Sequence, residues 1–240
     1  MSNETIKFLA ALTGSAILLA VMSACRSTSV SRGPRPGPTP KISPGPAQPV
    51  EFITAVSQGT VDYTLKAKGS FRDVVLWITN KSETPLQVIV EVGTEFEPAQ
   101  IDLPLVVLKK ASVVVQPRQR WMVELEVTSL DIHKDPSVNV GTTWQVHKSN
   151  RLTEFLQCAS DTLEKKKKSN QIYEQMLGGL ESFMLQYSVW HARGARREEF
   201  VDHWVNQESD TQSGADVKYA AYYPVLDEIK RTCGSLEKLN

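Results

Sequence analysis

Asp131-Ile132-His133-Lys134-Asp135-Pro136 sets two carboxylates and an imidazole on alternate residues. In an extended segment that spacing turns all three to one side, which suits a divalent cation such as zinc or calcium. Asp131, His133 and Asp135 alone make an incomplete ligand set, so the segment reads as a hydrogen-bonded loop, and no metal or other cofactor is expected. His191 and His203 are too far apart for a recognised ligand pair, and the chain has no His-Glu-x-x-His element. Cys158 is the candidate nucleophile, but a reactive thiol needs a basic partner. The lysines that follow it lie on the same helix, and nothing completes a triad. No serine elbow, phosphate loop or dinucleotide fingerprint occurs, and Ser70 between Gly69 and Phe71 is a turn serine. The expectation is a protein without catalysis.

Charge offers surfaces rather than a site. Lys plus Arg equals Asp plus Glu at 27 each, so no global field draws the chain to nucleic acid. Lys165, Lys166, Lys167 and Lys168 end the first long helix, where cations complement the negative end of the dipole. With Arg193, Arg196 and Arg197 they form the candidate contact surfaces for an anionic lipid, a polymer or another protein, with Lys165–Lys168, Arg196 and Arg197 the residues to test.

The N-terminus carries an address. Lys7 precedes an apolar run over residues 8–22, roughly 15 residues long, followed by Ser23, Ala24 and Cys25. That is too short for a spanning helix and has the order of a secretory signal. Met22-Ser23-Ala24-Cys25 resembles the bacterial lipobox, with Met22 where Leu is usual. The resemblance implies cleavage after residue 24 and lipid (palmitate among the acyl chains) on Cys25. A plain cleaved signal and an uncleaved anchor are the alternatives. Arg26 follows the cysteine in place of the aspartate that retains many lipoproteins in the inner membrane. The outer membrane is therefore expected if the cell is Gram-negative. Only Cys158 and Cys233 remain, which in an exported chain suggests one disulfide, with two buried thiols as the alternative.

Residues 25–49 are rich in proline, glycine, serine and arginine, as in Gly33-Pro34-Arg35-Pro36-Gly37-Pro38. Such a segment buries too little apolar surface to offset its ordering entropy and reads as a tether, on the order of 70 Å long if mostly polyproline II. From residue 50 short β-type runs follow. Val61, Tyr63, Leu65 and Ala67 alternate. Residues 71–79 are β-branched and aromatic, and 86–92 is their expected hairpin partner. Residues 103–108 and 112–115 come next, and Trp121, Val123, Leu125 and Val127 alternate again. Trp77 and Trp121 are expected in the core, and residues 128–149 as a loop. After 149 the period becomes helical. One stripe is Leu152, Phe155, Leu156, Ala159 and Leu163, and a second is Met176, Leu180, Phe183, Tyr187 and Trp190. A third is Phe200, Val201, Trp204 and Val205, and the last is Leu226, Ile229, Cys233 and Leu236, with Pro224 in its first turn. Gly178-Gly179 predicts a kink or close crossing.

Two stretches carry a family resemblance. Val74-Val75-Leu76-Trp77-Ile78-Thr79-Asn80, Thr84-Pro85-Leu86 and Gly93-Thr94-Glu95-Phe96, with Gln186-Tyr187-Ser188-Val189-Trp190 downstream, resemble an uncharacterised domain of bacterial secreted proteins. It implies a sandwich followed by helices and supplies no activity to carry over. The Gln-x-x-Val-Trp element is also similar to one half of the motif of thioester-domain adhesins, in which a cysteine and a glutamine condense to an electrophile. That resemblance would require Gln186 to meet Cys158, although the cysteine-bearing motif is not evident around Leu156-Gln157-Cys158-Ala159.

These readings combine into an α+β chain: a signal peptide (1–24), a lipid-anchored tether (25–49), a small antiparallel immunoglobulin-like β-sandwich (50–148) and a helical domain of about four helices (149–240). The expected role is a non-catalytic envelope lipoprotein that binds another envelope protein or polymer and no nucleic acid. The alternative is an enzyme or covalent adhesin using Cys158 and Gln186, or a metal in the loop from Asp131 to Asp135.

Overall fold

The structure, a computed structural model, describes residues 45–67, 74–99, 104–133, 143–169, 181–208 and 210–237. The signal, Cys25, most of the tether, Phe71, Asp135, Met176, Leu180 and Gly178-Gly179 lie outside the described residues. Residues Ser43–Asn240 form one compact unit, so the change of period near residue 149 falls inside it. The fold is mixed α+β, with several antiparallel sheets and, among the described residues, five helices.

β1 (Gln48–Glu51) begins inside the segment expected as tether and pairs in parallel with β4 (Leu86–Val90), which pairs antiparallel with β7 (Ala111–Val115). After β1 comes a short helix that the sequence pattern does not foretell, α1 (Phe52–Ser57). β2 (Val61–Ala67), β3 (Val74–Asn80) and β8 (Arg120–Leu125) form a second, antiparallel sheet. The third sheet runs β10 (Trp144–Lys148), β5 (Thr94–Pro98), β6 (Leu105–Val107), β9 (Val127–Ser129). β9 and β10 therefore occupy some of the stretch expected as loop.

β3 and β4 are not hairpin partners, contrary to expectation. The turn between them carries the chain from one sheet to another, and the buried Asn80 side chain holds it there. Its Nδ2 donates to Thr84 O (2.8 Å) and Val115 O (3.0 Å), and its Oδ1 accepts from Ser82 N (2.8 Å). The alternation of β2 does place Val61 and Leu65 inward, opposite Asn80 and Leu76. They join Leu86, Val88, Val90 and Val115 of the other sheet, and Phe52 of α1, in one core. Trp121 is not among them. It lies opposite Ile78 but is 57% exposed, because it is one residue from the start of β8, an edge strand that forms no second ladder among the described residues. Trp77 is half-buried, on the other face, under the Arg120 guanidinium at 4.9 Å.

α2 (Asn150–Lys168) is capped by Ser149, whose Oγ accepts from Leu152 N (3.2 Å). It buries the expected stripe from Leu152 to Leu163. α3 (Glu181–Ala192) is central and has no solvent stripe: every residue from Met184 to Ala192 is buried, including Gln186. A helix enclosed on all sides needs no amphipathic pattern. α4 (Arg197–Gln207) and α5 (Gln212–Cys233) pack around it. Pro224 sits deep inside α5, not in its first turn, so the Ala220 carbonyl loses its helical donor there. Cys158 and Cys233 are joined by a disulfide that pins α5 to α2. Among the described residues no helix is long and apolar enough to cross a membrane.

β6 separates the two cores: Leu105 and Val107 enter the strand core, while Val106 enters the helical one. The pairings also give the strand region a distinct pair of ends. At one, Gln48 N donates to Pro85 O (3.0 Å) and Asn80 N to Gln119 O (2.9 Å), so the chain joins the fold beside the 81–85 and 116–119 turns. At the other, Ser149 N reaches Gly93 O (3.4 Å) just past β4, and Ser182 of α3 donates to Glu126 just past β8. The helices from α2 to α5 gather at the end opposite to where the chain joins.

Candidate functional site

Beyond β9 the chain turns through residues 130–133 and meets the junction of α3 and α4. Trp190 Nε1 donates to Ser129 O (2.9 Å), and His203 Nδ1 lies 3.2 Å from Ile132 O. Ser129 Oγ accepts from Asp131 N (3.0 Å). The segment is thus fastened to both helices, and a cleft of about 310 Å³ opens between them, lined by Asp131, His133, Trp190, Arg193, Gly194 and Glu199 among others.

Glu199 organises the cleft. It is the third residue of α4, where a carboxylate can turn back on the helix start. One oxygen accepts from Arg196 N (2.7 Å), and the other lies 3.0 Å from His133 Nε2. The backbone N–H of Arg196 holds the Glu199 carboxyl below its usual range, opposed by burial and helped by His133. Sequence reasoning selects Arg196 and Arg197 and passes over Glu199; its position three residues after the helix start is the signal that would have found it.

The one-sided array that an extended segment would give is not formed by Asp131 and His133. Asp131 Oδ1 accepts from His133 N (2.9 Å), which bends the segment into a turn, and the ring reaches across to α4. Among the described residues no three His, Cys, Asp or Glu side chains come together as a metal ligand set. The described lining of the cleft holds an imidazole, carboxylates and a guanidinium, with no Ser, Thr or Cys. It can bind a polar group, and a His–carboxylate pair could accept a proton, but no nucleophile stands beside it.

The thiol chemistry meets a covalent obstacle. Cys158 Sγ is bonded to Cys233 Sγ, so the sulfur that a thioester with Gln186 would use is occupied.

The basic candidates fall into two separate places. Lys166 pairs with Glu228 near the end of α5, while Arg197 pairs with Asp216 near its start (2.6 Å). Those partners are about 18 Å apart along the helix axis, so the clusters do not merge. Lys167 faces Glu164 (3.9 Å), and Arg196 faces Glu199 (3.7 Å). Lys165 and Lys168 are exposed and have no ion pair among the described residues. A further polar network ties the helices together: Tyr187 OH donates to Glu208 (2.8 Å), which also binds Lys218, and Lys218 lies over the Trp204 ring at 4.8 Å. Burial, followed by the Glu208 charge, pushes the Tyr187 hydroxyl far up. This network braces the core and is not open to a substrate.

No family model, curated protein or solved structure matches this chain.

Proposed function

We propose that the chain is a bacterial lipoprotein, acylated at Cys25 and held at the cell envelope, in Gram-negative cells at the outer membrane. Its folded unit binds another envelope protein or polymer without catalysis. The two three-stranded sheets that share one core are read here as an immunoglobulin-like sandwich. The observation that carries this reading is the polarity of the folded unit: the chain joins at one end, and the helices with the His133–Glu199 cleft lie at the other. A module tethered at one end presents the opposite end outward. The disulfide suits an oxidising compartment such as the periplasm or cell surface.

The test is site-specific photocrosslinking in intact cells. A photoreactive residue replacing His133 or Lys165 should give a defined adduct with an envelope component, and the same residue at Gln58, at the joining end, should not. Absence of adducts at both helical-end positions, or an enzymatic activity that is lost on His133→Ala, would overturn the reading.

A further inference from the structure

The end where the chain joins carries its own surface. β8 exposes two large apolar side chains in succession, Trp121 (57% exposed) and Met122 (48%), pointing to opposite faces because neighbours on a strand alternate. Val114 on the neighbouring β7 is 47% exposed, one residue from the same end. Trp77 lies half-buried beside Met122, its register partner. Among the described residues, every large apolar strand side chain left exposed lies toward this end of the sheets.

Position and charge say what the occupant is. The patch borders the turns of residues 81–85 and 116–119, and Gln48 is hydrogen-bonded to the first of these. The first described strand therefore begins at the same end of the sheets as this patch. The N-terminal chain holds the apolar run and Cys25, and between residues 26 and 50 it carries Arg26, Arg32, Arg35 and Lys41 and no acidic residue. At the patch itself Lys81 pairs with Asp62 (2.9 Å) and Arg118 pairs with Glu83, while Arg120 stacks on Trp77. Arg120 thus gives the end a surplus of positive charge. Tryptophan and arginine at one end of a fold are the composition of a membrane-interface anchor.

We infer that this end of the sheets, through Trp121, Met122 and Arg120, is a docking surface for an anionic lipid bilayer. The inference rests on the lipid-anchor reading and adds a second contact to it. Membrane attachment strengthens with each independent signal, and the patch adds a non-covalent one to the acyl chains on Cys25. A covalent tether holds the patch at an effective concentration in the mM range, so a weak contact suffices. Docked this way, the helices face away from the membrane.

The test imposes the anchor, so that it does not depend on acylation in the cell. With Cys158 and Cys233 in their disulfide, the Cys25 thiol of the full chain is coupled to a maleimide lipid in vesicles of phosphatidylglycerol and brominated phosphatidylcholine. No tryptophan precedes Trp77, so bromine quenching of tryptophan fluorescence reports on the folded unit. The wild-type chain should be quenched, Trp121→Phe should lose most of that quenching, and Arg120→Gln should reduce it. Quenching should also fall in vesicles without phosphatidylglycerol. An unquenched wild-type chain, or quenching unchanged in Trp121→Phe, overturns the inference. So does a chain that is unquenched but dimeric through Trp121, which would make a second copy the occupant. Failure of the anchor itself is read separately, from the mass of the mature protein extracted from cells.

Discussion

Thr153, in the first turn of α2, occupies the space that a side chain on Gly93 would need. A Cβ built on Gly93 would stand 2.8 Å from Thr153 N, and Gly93 has φ +76°. The Thr153 hydroxyl donates to Val92 O (3.1 Å), closing the contact between the strands and the helices. Gly93→Ala must therefore both strain the backbone and push α2 away, with an expected loss of about 3 kcal/mol. Gly59 has a similar φ of +67° and nothing within 4 Å of a built Cβ. Gly59→Ala should cost only about 1 kcal/mol. Denaturant melts of the two variants check the difference.

Reduction of the Cys158–Cys233 bond should be costly. It closes a loop spanning 75 residues, for which the chain-entropy argument gives about 4 kcal/mol. Non-reducing peptide maps of protein taken from the envelope should recover the linked pair, and Cys158→Ser with Cys233→Ser should lower the denaturation midpoint. Alkylatable thiols at both positions in native protein would refute the bond.

Cys25→Ser should abolish acylation and move the protein from the membrane pellet to the soluble fraction, or leave an unprocessed precursor. Metabolic lipid labelling that fails on the wild-type chain would remove the anchor and with it the proposed function.

His191 is buried between α3 and α5, against the Tyr223 ring, with Lys230 and Asp227 nearby. Burial, helped by Lys230 and opposed by Asp227, holds its imidazole below the ordinary 6.5. The unfolded chain then takes up a proton before the folded one does as pH falls. The stability that His191 contributes is full above its ordinary value of 6.5 and declines as pH drops below it, down to the lower folded value. His191→Phe should flatten this region of the stability–pH curve. Urea melts of both proteins at several pH values check it, and an unchanged slope would contradict the assignment.

Lys165 and Lys168 project from the end of α2, whereas Lys166, Arg196 and Arg197 are held by carboxylates. Lys165→Ala with Lys168→Ala should weaken association with the envelope partner and leave the melting midpoint within about 0.5 kcal/mol of wild type. Arg197→Ala should cost up to about 1 kcal/mol, because it breaks the exposed pair with Asp216. Cross-linking yield and thermal melts separate these outcomes.

Local periodicity, by itself, determined that a strand region precedes the long helices, the inward face of β2 and the buried stripe of α2, because each depends only on which neighbours along the chain share a side. The same pattern set Trp121 inward and β3 against β4, and both fail for one reason. Which strand is an edge, and which sheet a turn feeds, depends on partners distant in sequence, such as Val115 for the Asn80 side chain. The enclosure of α3 is equally nonlocal, since a helix surrounded by neighbours carries no stripe to read. In the cleft, the motif named Asp131 and His133, but the pairing of His133 with Glu199 spans 66 positions. Only the packing of the turn after β9 onto α3 and α4 brings those two side chains together, and that packing is set by the hydrogen bond from Trp190 to Ser129.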